Sequence, residues 1–231
     1  IIKRELIIKN KLKLKKICTE CKDNEKIQQL TSNYAVRLKI PIEGKTSIKD
    51  TIQGNITINN QELDDYIILR KDETPTYMLS VVADDHDLGI NYIIRGNDHF
   101  NNSFRQIYIY KFMNWQVPDY AHIPLIHGED GAKLSKRHGA INVMELKDQG
   151  YLPESIINNL ILLGWAPKNN NSEIIKIKEI INTFNINEIS KSSSIFNYDK
   201  LNYFNNYYLR LDENLKNFKF FCKNNEILNL L

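Results

Sequence analysis

The sequence has 231 residues, 42% hydrophobic and 26% charged, with a net charge of +3. This composition suits one large or two modest packed domains and excludes wholesale disorder, and it confines any nucleic-acid-binding surface to a local basic patch. Three cysteines are too few for a disulfide framework and point to a reducing, cytoplasmic setting; no apolar run approaches the roughly 20 residues of a membrane span.

The lysine-rich residues 1–33 suit a helix and show no small-residue cleavage site, so they do not read as a signal peptide. Residues 34–70 read as β-rich. YAVRLKIP alternates from Tyr34 to a stop at Pro41, IQGNITI offers a hairpin at Gly54–Asn55, and DDYIILR is a further strand. TYMLSVVA, Thr76 to Ala83, fits either a short buried helix or a strand. Ile90 to Ile94 is a short apolar strand followed by Gly96. Asn101 and Asn102 are candidate N-caps of a helix reaching about Trp115, with Phe104, Ile107, Tyr108, Phe112 and Trp115 on one face. AHIPLIHG is a second short strand, closed by a turn at Gly128–Gly131. Strand, helix and strand in this order form a βαβ pattern, which favours parallel pairing and a ligand site at the carboxyl ends of the strands. From Asn142 the pattern is helical. Pro153 marks a helix start, Ile156, Ile157, Leu160 and Ile161 form its expected buried stripe, and Gly164 follows its end.

Three stretches carry candidate chemistry. In Lys133-Leu134-Ser135-Lys136-Arg137, two lysines three residues apart suit a triphosphate, because mobile ammonium groups can follow charge onto a leaving pyrophosphate. Gly131 and Gly139 would let that loop close; the alternative is a solvated basic turn. In Arg95-Gly96-Asn97-Asp98-His99, a strand-end arginine can grip a carboxylate bidentately, or the stretch is a strand cap with a surface ion pair. Asp84-Asp85-His86-Asp87 is an acidic cluster that reads as an element terminus orienting other groups, or as a metal or acid–base site. Cys18-x-x-Cys21 is half of a zinc site without a second pair at usable spacing, so no metal site and no zinc are expected. Neither G-x-G-x-x-G nor a Walker lysine loop is present.

Taken together and in order, TPTYMLSVVADDHDLGINYIIRGNDHF, AHIPLIHGEDGAKLSKRHGA and YLPESIINNLILLGW resemble the bacterial-type glutamyl-tRNA synthetases, a class I family, over roughly Tyr34 to Arg210. The resemblance implies an α/β fold: the C-terminal half of a class I Rossmann-like catalytic domain, followed by an α-helical stem-contact region. It divides the chain into residues 1–33, a connecting or acceptor-stem-binding remnant; 34–141, the catalytic half with the KLSKR loop; and 142–231, helices leading towards an anticodon-binding domain. Tyr77 and Arg95 then match glutamate-binding positions. Asp98, His99, Lys133, Ser135, Lys136 and Arg137 match ATP-binding positions, with Lys133 and Lys136 as the catalytic lysines.

The implied reaction activates glutamate with ATP, accompanied by Mg2+, and transfers it to the 3′ end of tRNA(Glu), in a monomeric parent enzyme with no membrane association. The five histidines, His86, His99, His122, His127 and His138, do not form the family's His-x-Gly-His signature. The chain also opens at Ile1, so it reads as the second half of a longer enzyme and is expected to be inactive alone. Two other readings remain open here: a paralogue that glutamylates a tRNA base, of the glutamyl-queuosine type, and a non-catalytic tRNA-binding module derived from a synthetase.

Overall fold

The computed structural model describes residues 35–134, 142–168 and 172–211. Its chain divides between Ile123 and Pro124 into two compact units, earlier than the boundary expected at residue 141.

The first unit is built on a mixed sheet. In β2 (Lys45–Asp50), Thr46, Ile48 and Asp50 alternate onto the buried face. β2 pairs antiparallel with β3 (Gly54–Asn59) over its whole length, with Ile48 opposite Ile56. The turn between them falls on residues 51–53, not on Gly54–Asn55. Asp50 is the reason: its Oδ1 accepts from the backbone N–H groups of Ile52 (2.9 Å) and Gln53 (2.8 Å). That local carboxylate turn hands the chain to Gly54, whose φ of +87° opens β3.

The expected strand from Tyr34 shrinks to β1 (Val36–Arg37), paired antiparallel with β4 (Ile67–Leu69). Beyond it the backbone N–H of Ile40 turns to the Asp65 carboxylate at 2.8 Å, which ends the ladder; Tyr34 lies outside the described residues. Of TYMLSVVA, Thr76 is the extended N-cap and the rest is helical, within α1 (Tyr77–Asp87). β5 (Tyr92–Gly96), α2 (Phe100–Phe112) and β6 (Asp119–Ile123) then give the expected βαβ unit. β5 and β6 are parallel, with Arg95 opposite His122, and the sheet order is β3-β2-β6-β5.

A short 3₁₀ turn over residues 97–99 runs straight into α2, so His99, not Asn101 or Asn102, is the N-cap. Phe104, Ile107 and Tyr108 are buried as expected, while Phe112 is 52% exposed and Ser103, Gln106, Ile109 and Tyr110 are buried instead. With Ile40, Ile48, Leu63, Tyr66, Val82 and Tyr120 the apolar members form the core of this unit. Each fully buried aliphatic or aromatic side chain contributes about 1.5–3 kcal/mol to holding it.

The second unit begins where AHIPLIHG breaks. Pro124 lacks an N–H, so the run cannot continue as one inner strand. Ile126–His127 becomes β7, paired in parallel with β8 (Ser194–Ile195). α3 (Val143–Asp148) starts at a capping box in which Asn142 Oδ1 accepts from Glu145 N at 2.9 Å and Glu145 Oε2 accepts from Asn142 N at 3.1 Å. α4 (Pro153–Leu162) has its proline in the first turn, as expected. α5 (Ile177–Thr183) and α6 (Tyr198–Leu209) follow, the latter capped by Asn197.

The stripe expected on α4 is only partly buried. Ile156 is inside, but Ile157 and Leu160 are each 39% exposed, and Ser155, Asn158 and Asn159 are buried. Asn158 is held there by three bonds. Its Oδ1 accepts from Ile175 N and from Tyr208 Oη (2.9 Å each), and its Nδ2 donates to Glu173 O at 2.8 Å. The amide thus ties α4 to α6 and to the segment before α5. Leu146, Ile156, Phe196 and Leu201 form the apolar core of this unit. Among the described residues no helix is long and apolar enough to cross a membrane.

Candidate active site

The sheet brings four sequence-predicted residues together at the carboxyl end of β5. Arg95 is its penultimate residue, and Asp98 and His99 lie in the 3₁₀ turn that follows. Tyr77, the first residue of α1 and 47% exposed, meets the His99 ring with centroids 5.6 Å apart. His99 Nε2 lies 4.0 Å from Asp98 Oδ2, and the His99 carbonyl accepts from Arg95 Nη2 at 3.3 Å. Asn102 Nδ2 stands 3.2 Å from His99 Nδ1.

Arg95 is held by neighbours within its own unit. Its Nε donates to His122 Nε2 at 3.0 Å, and its Nη2 donates to Ser103 Oγ at 2.6 Å and Gln106 Oε1 at 2.8 Å. Nη1 takes no part in these bonds. Behind it, His122 Nδ1 lies 2.6 Å from Asp50 Oδ2, with both side chains fully buried. The backbone N–H of His122 also reaches Asp50 Oδ2 at 3.1 Å, and Gln53 Nε2 donates to the His122 carbonyl at 2.9 Å. A chain of hydrogen bonds therefore runs from the hairpin turn through β6 to the end of β5. Burial depresses the His122 pKa below the ordinary value, against the opposing pull of the Asp50 hydrogen bond, and the Arg95 charge depresses it further.

Sequence reasoning missed Asp50, Ser103, Gln106 and His122. One signal was present: Asp50 is in phase with Thr46 and Ile48, so an alternating strand puts a carboxylate on its buried face. For His122 the signal was its register beside Arg95, which only the parallel pairing reveals.

The acidic cluster is the last turn of α1. Asp85 is half-buried there, and burial raises its pKa while the Arg95 charge pulls it down. Its neighbour His86 stacks on Trp115 at 3.9 Å and contacts Asp87 at 3.0 Å. These are the contacts of an orienting helix terminus. Burial, with Asp85 adding in the same direction, raises Tyr110 to about 12, and burial raises Tyr120 as well. Tyr110 Oη, Tyr120 Oη and Gln106 Nε2 are buried without a hydrogen-bond partner among the described residues. The Arg95 guanidinium lies 5.9 Å over the Tyr120 ring. Buried polar atoms are rarely left unpaired, so this polarity around Arg95 fits a place built for a polar ligand.

In the second unit, the basic loop leaves β7 through a tight turn. Gly128 N donates to Ala132 O at 2.9 Å, and Gly131 adopts a φ of +75°. Lys133 bridges back antiparallel to His127, and Leu134 N donates to Ile126 O at 2.9 Å. Lys133 is exposed at the start of the loop. Ser135, Lys136, Arg137 and Gly139 lie outside the described residues, as do Cys18 and Cys21. Among the described residues no group of three or more His, Cys, Asp or Glu side chains could hold a metal ion.

Within the first unit, a parallel βαβ arrangement sets a strand-end arginine at the carboxyl end of the sheet, where ligands of open α/β sheets bind. The model of the family described as tRNA synthetases class I (E and Q), catalytic domain, matches residues 4–203, and the chain belongs to that family. Among its relatives, glutamate–tRNA ligase 2 of Zymomonas mobilis is 54% identical over 178 residues, covering 77% of this chain and 37% of that protein. Glutamate–tRNA ligase 2 of Rickettsia akari is 53% identical over 179 residues, covering 78% and 38%. Solved structures similar to the chain include two that are each 30% identical. One is a glutamate–tRNA ligase from Elizabethkingia meningosepticum in complex with its amino acid, with a TM-score of 0.75 over 84% of this chain and 42% of that one. The other is glutamate–tRNA synthetase from Elizabethkingia anophelis, with a TM-score of 0.78 over 91% and 47%. The chain spans little more than a third of the length of the two curated relatives. The α/β class and the family read from the sequence both hold.

Proposed function

We propose that this chain carries part of the active site of a glutamyl-tRNA synthetase: it helps to activate glutamate with ATP and to pass it to the 3′ end of tRNA(Glu). The observation that carries the reading is the convergence of Tyr77, Arg95, Asp98 and His99 at the carboxyl end of β5, in a chain about half identical to glutamate–tRNA ligases. In the reaction, a carboxylate oxygen of glutamate attacks the α-phosphorus of ATP, and the bond to pyrophosphate breaks. A terminal hydroxyl of the tRNA then attacks the adenylate carbonyl, releasing AMP. No group of the enzyme needs to be acylated, so catalysis rests on positioning and charge stabilisation.

Arg95 and Tyr77 hold the glutamate. Asp98 and His99 line the nucleoside side, and Lys133, Ser135, Lys136 and Arg137 take the phosphates. Mg2+ accompanying ATP, when bound, would neutralise part of the phosphate charge. The enzyme works as a monomer in the cytoplasm, where its tRNA is made and used.

The test is a fusion of this chain behind the N-terminal stretch of the Zymomonas mobilis relative, assayed by glutamate-dependent ATP–pyrophosphate exchange. Arg95→Ala is expected to raise the glutamate KM at least tenfold, on the order expected for losing a charged hydrogen-bond donor, with the ATP KM near wild type. Lys136→Ala is expected to lower exchange by about a hundredfold. An Arg95→Ala fusion with an unchanged glutamate KM contradicts the assignment.

A further inference from the structure

The partners of Arg95 share one property: His122 Nε2, Ser103 Oγ, Gln106 Oε1 and the His99 carbonyl are all uncharged acceptors. They fix the direction of the guanidinium without forming an ion pair with it; the Asp85 carboxylate acts on its charge from outside this set of bonds. An acidic partner in any of these places would hold Arg95 as firmly but spend its charge on an internal ion pair. The charge instead remains available to an anionic ligand.

His122 can accept only in one form. Arg95 Nε is an obligate donor, so His122 Nε2 must carry a lone pair, and the ring hydrogen sits on Nδ1. Asp50 Oδ2, 2.6 Å from Nδ1, accepts that hydrogen and so selects the tautomer. The ring has little freedom to turn. It is fully buried on β6, with Phe100 edge-on at 4.9 Å and Tyr120 stacked at 5.8 Å. Asp50 is itself fixed by the backbone N–H groups of Ile52, Gln53 and His122.

We propose that His122 is a positioning residue, held by Asp50 as the neutral Nδ1–H tautomer, which aims the Arg95 guanidinium at the amino-acid substrate without itself pairing with its charge. This rests on the reading of Arg95 as a glutamate-binding residue. His122 does not touch the substrate; its effect passes through Arg95.

Two measurements test it. Long-range 1H–15N correlation on the histidine-labelled chain reports the tautomer directly. The expected spectrum shows His122 protonated on Nδ1 and not on Nε2 at pH 7; an Nε2–H form or an imidazolium overturns the proposal. The second measurement is the glutamate KM of the fusion described above. His122→Leu removes the acceptor and is expected to raise the glutamate KM about tenfold, with the ATP KM changed less than about twofold. His122→Gln restores an acceptor oxygen near Nε2 and is expected to recover most of that loss. A role in packing alone predicts no such rescue, so equal KM values for the leucine and glutamine variants overturn the proposal. Ser47→Ala, at an exposed hairpin hydroxyl bonded to Thr57, serves as the unaffected control. The two readings fail separately. An unchanged glutamate KM in Arg95→Ala defeats the functional assignment. A large effect there with none in His122→Leu defeats the positioning role alone.

Discussion

At the scale of single residues, the balance of charge and burial around His122 sets a pH dependence. Its folded-state pKa is depressed, mainly by burial, so between that value and the ordinary histidine value the unfolded chain binds more protons than the folded one. Stability contributed by the neutral ring is therefore complete above about pH 6.5 and is lost as the pH falls towards the folded value. Asp85 acts in the opposite sense at lower pH, because its raised pKa lets the folded state take up a proton first. Urea midpoints measured from pH 8 downward should fall below about pH 6.5 in the wild-type chain, and should fall less in His122→Gln. Equal slopes in the two proteins contradict a buried neutral histidine. The strand-end arginine was legible from the sequence because Arg95-Gly96 closes an apolar run. The groups that aim it were not: their relation is one of strand register, and Asp50 lies 72 residues from His122 in the chain.

At the scale of elements, α4 separates pattern from packing. The apolar periodicity of Ile156, Ile157, Leu160 and Ile161 placed the helix correctly, yet only Ile156 of those four is buried, while the two asparagines between Ile157 and Leu160 are buried with it. The hydrogen-bond needs of the segment over residues 173–175 and of Tyr208 decide the orientation, and hydropathy does not encode them. Asn158→Ala leaves the buried Ile175 N–H without its acceptor and removes one of the bonds of the Tyr208 hydroxyl, which keeps Ile175 O, and should cost about 1–3 kcal/mol in chemical denaturation. Ile157→Ala should cost under about 1 kcal/mol, because much of its side chain stays in water. The reverse order would show that the apolar stripe faces inward after all.

The turn into the basic loop is a second case. Gly131 was read as a source of mobility, but its φ of +75° is a conformational requirement of the turn. A Cβ there would meet nothing within 4 Å. The cost of Gly131→Ala is therefore backbone strain alone, about 1–2 kcal/mol by denaturation. A neutral substitution would show that the turn can adopt another form.

At the scale of the whole molecule, local patterns located strands and helices well. The βαβ unit was legible because its three elements are adjacent in sequence and end in clear signals. The place where the first unit ends was not, because AHIPLIHG reads as one apolar strand unless the missing N–H of Pro124 is weighed against continuous pairing. The family was legible for a different reason: several stretches stand in the right order at once, and 200 residues of family match agree with them.

The central claim is that these parts serve glutamate activation, and amino-acid-dependent ATP–pyrophosphate exchange tests it most directly. In the fusion carrying this chain, glutamate is predicted to support exchange at least a hundredfold better than aspartate or glutamine, as hydrogen-bonded recognition of a charged side chain allows. A folded fusion that exchanges equally with all three, or with none, contradicts the account.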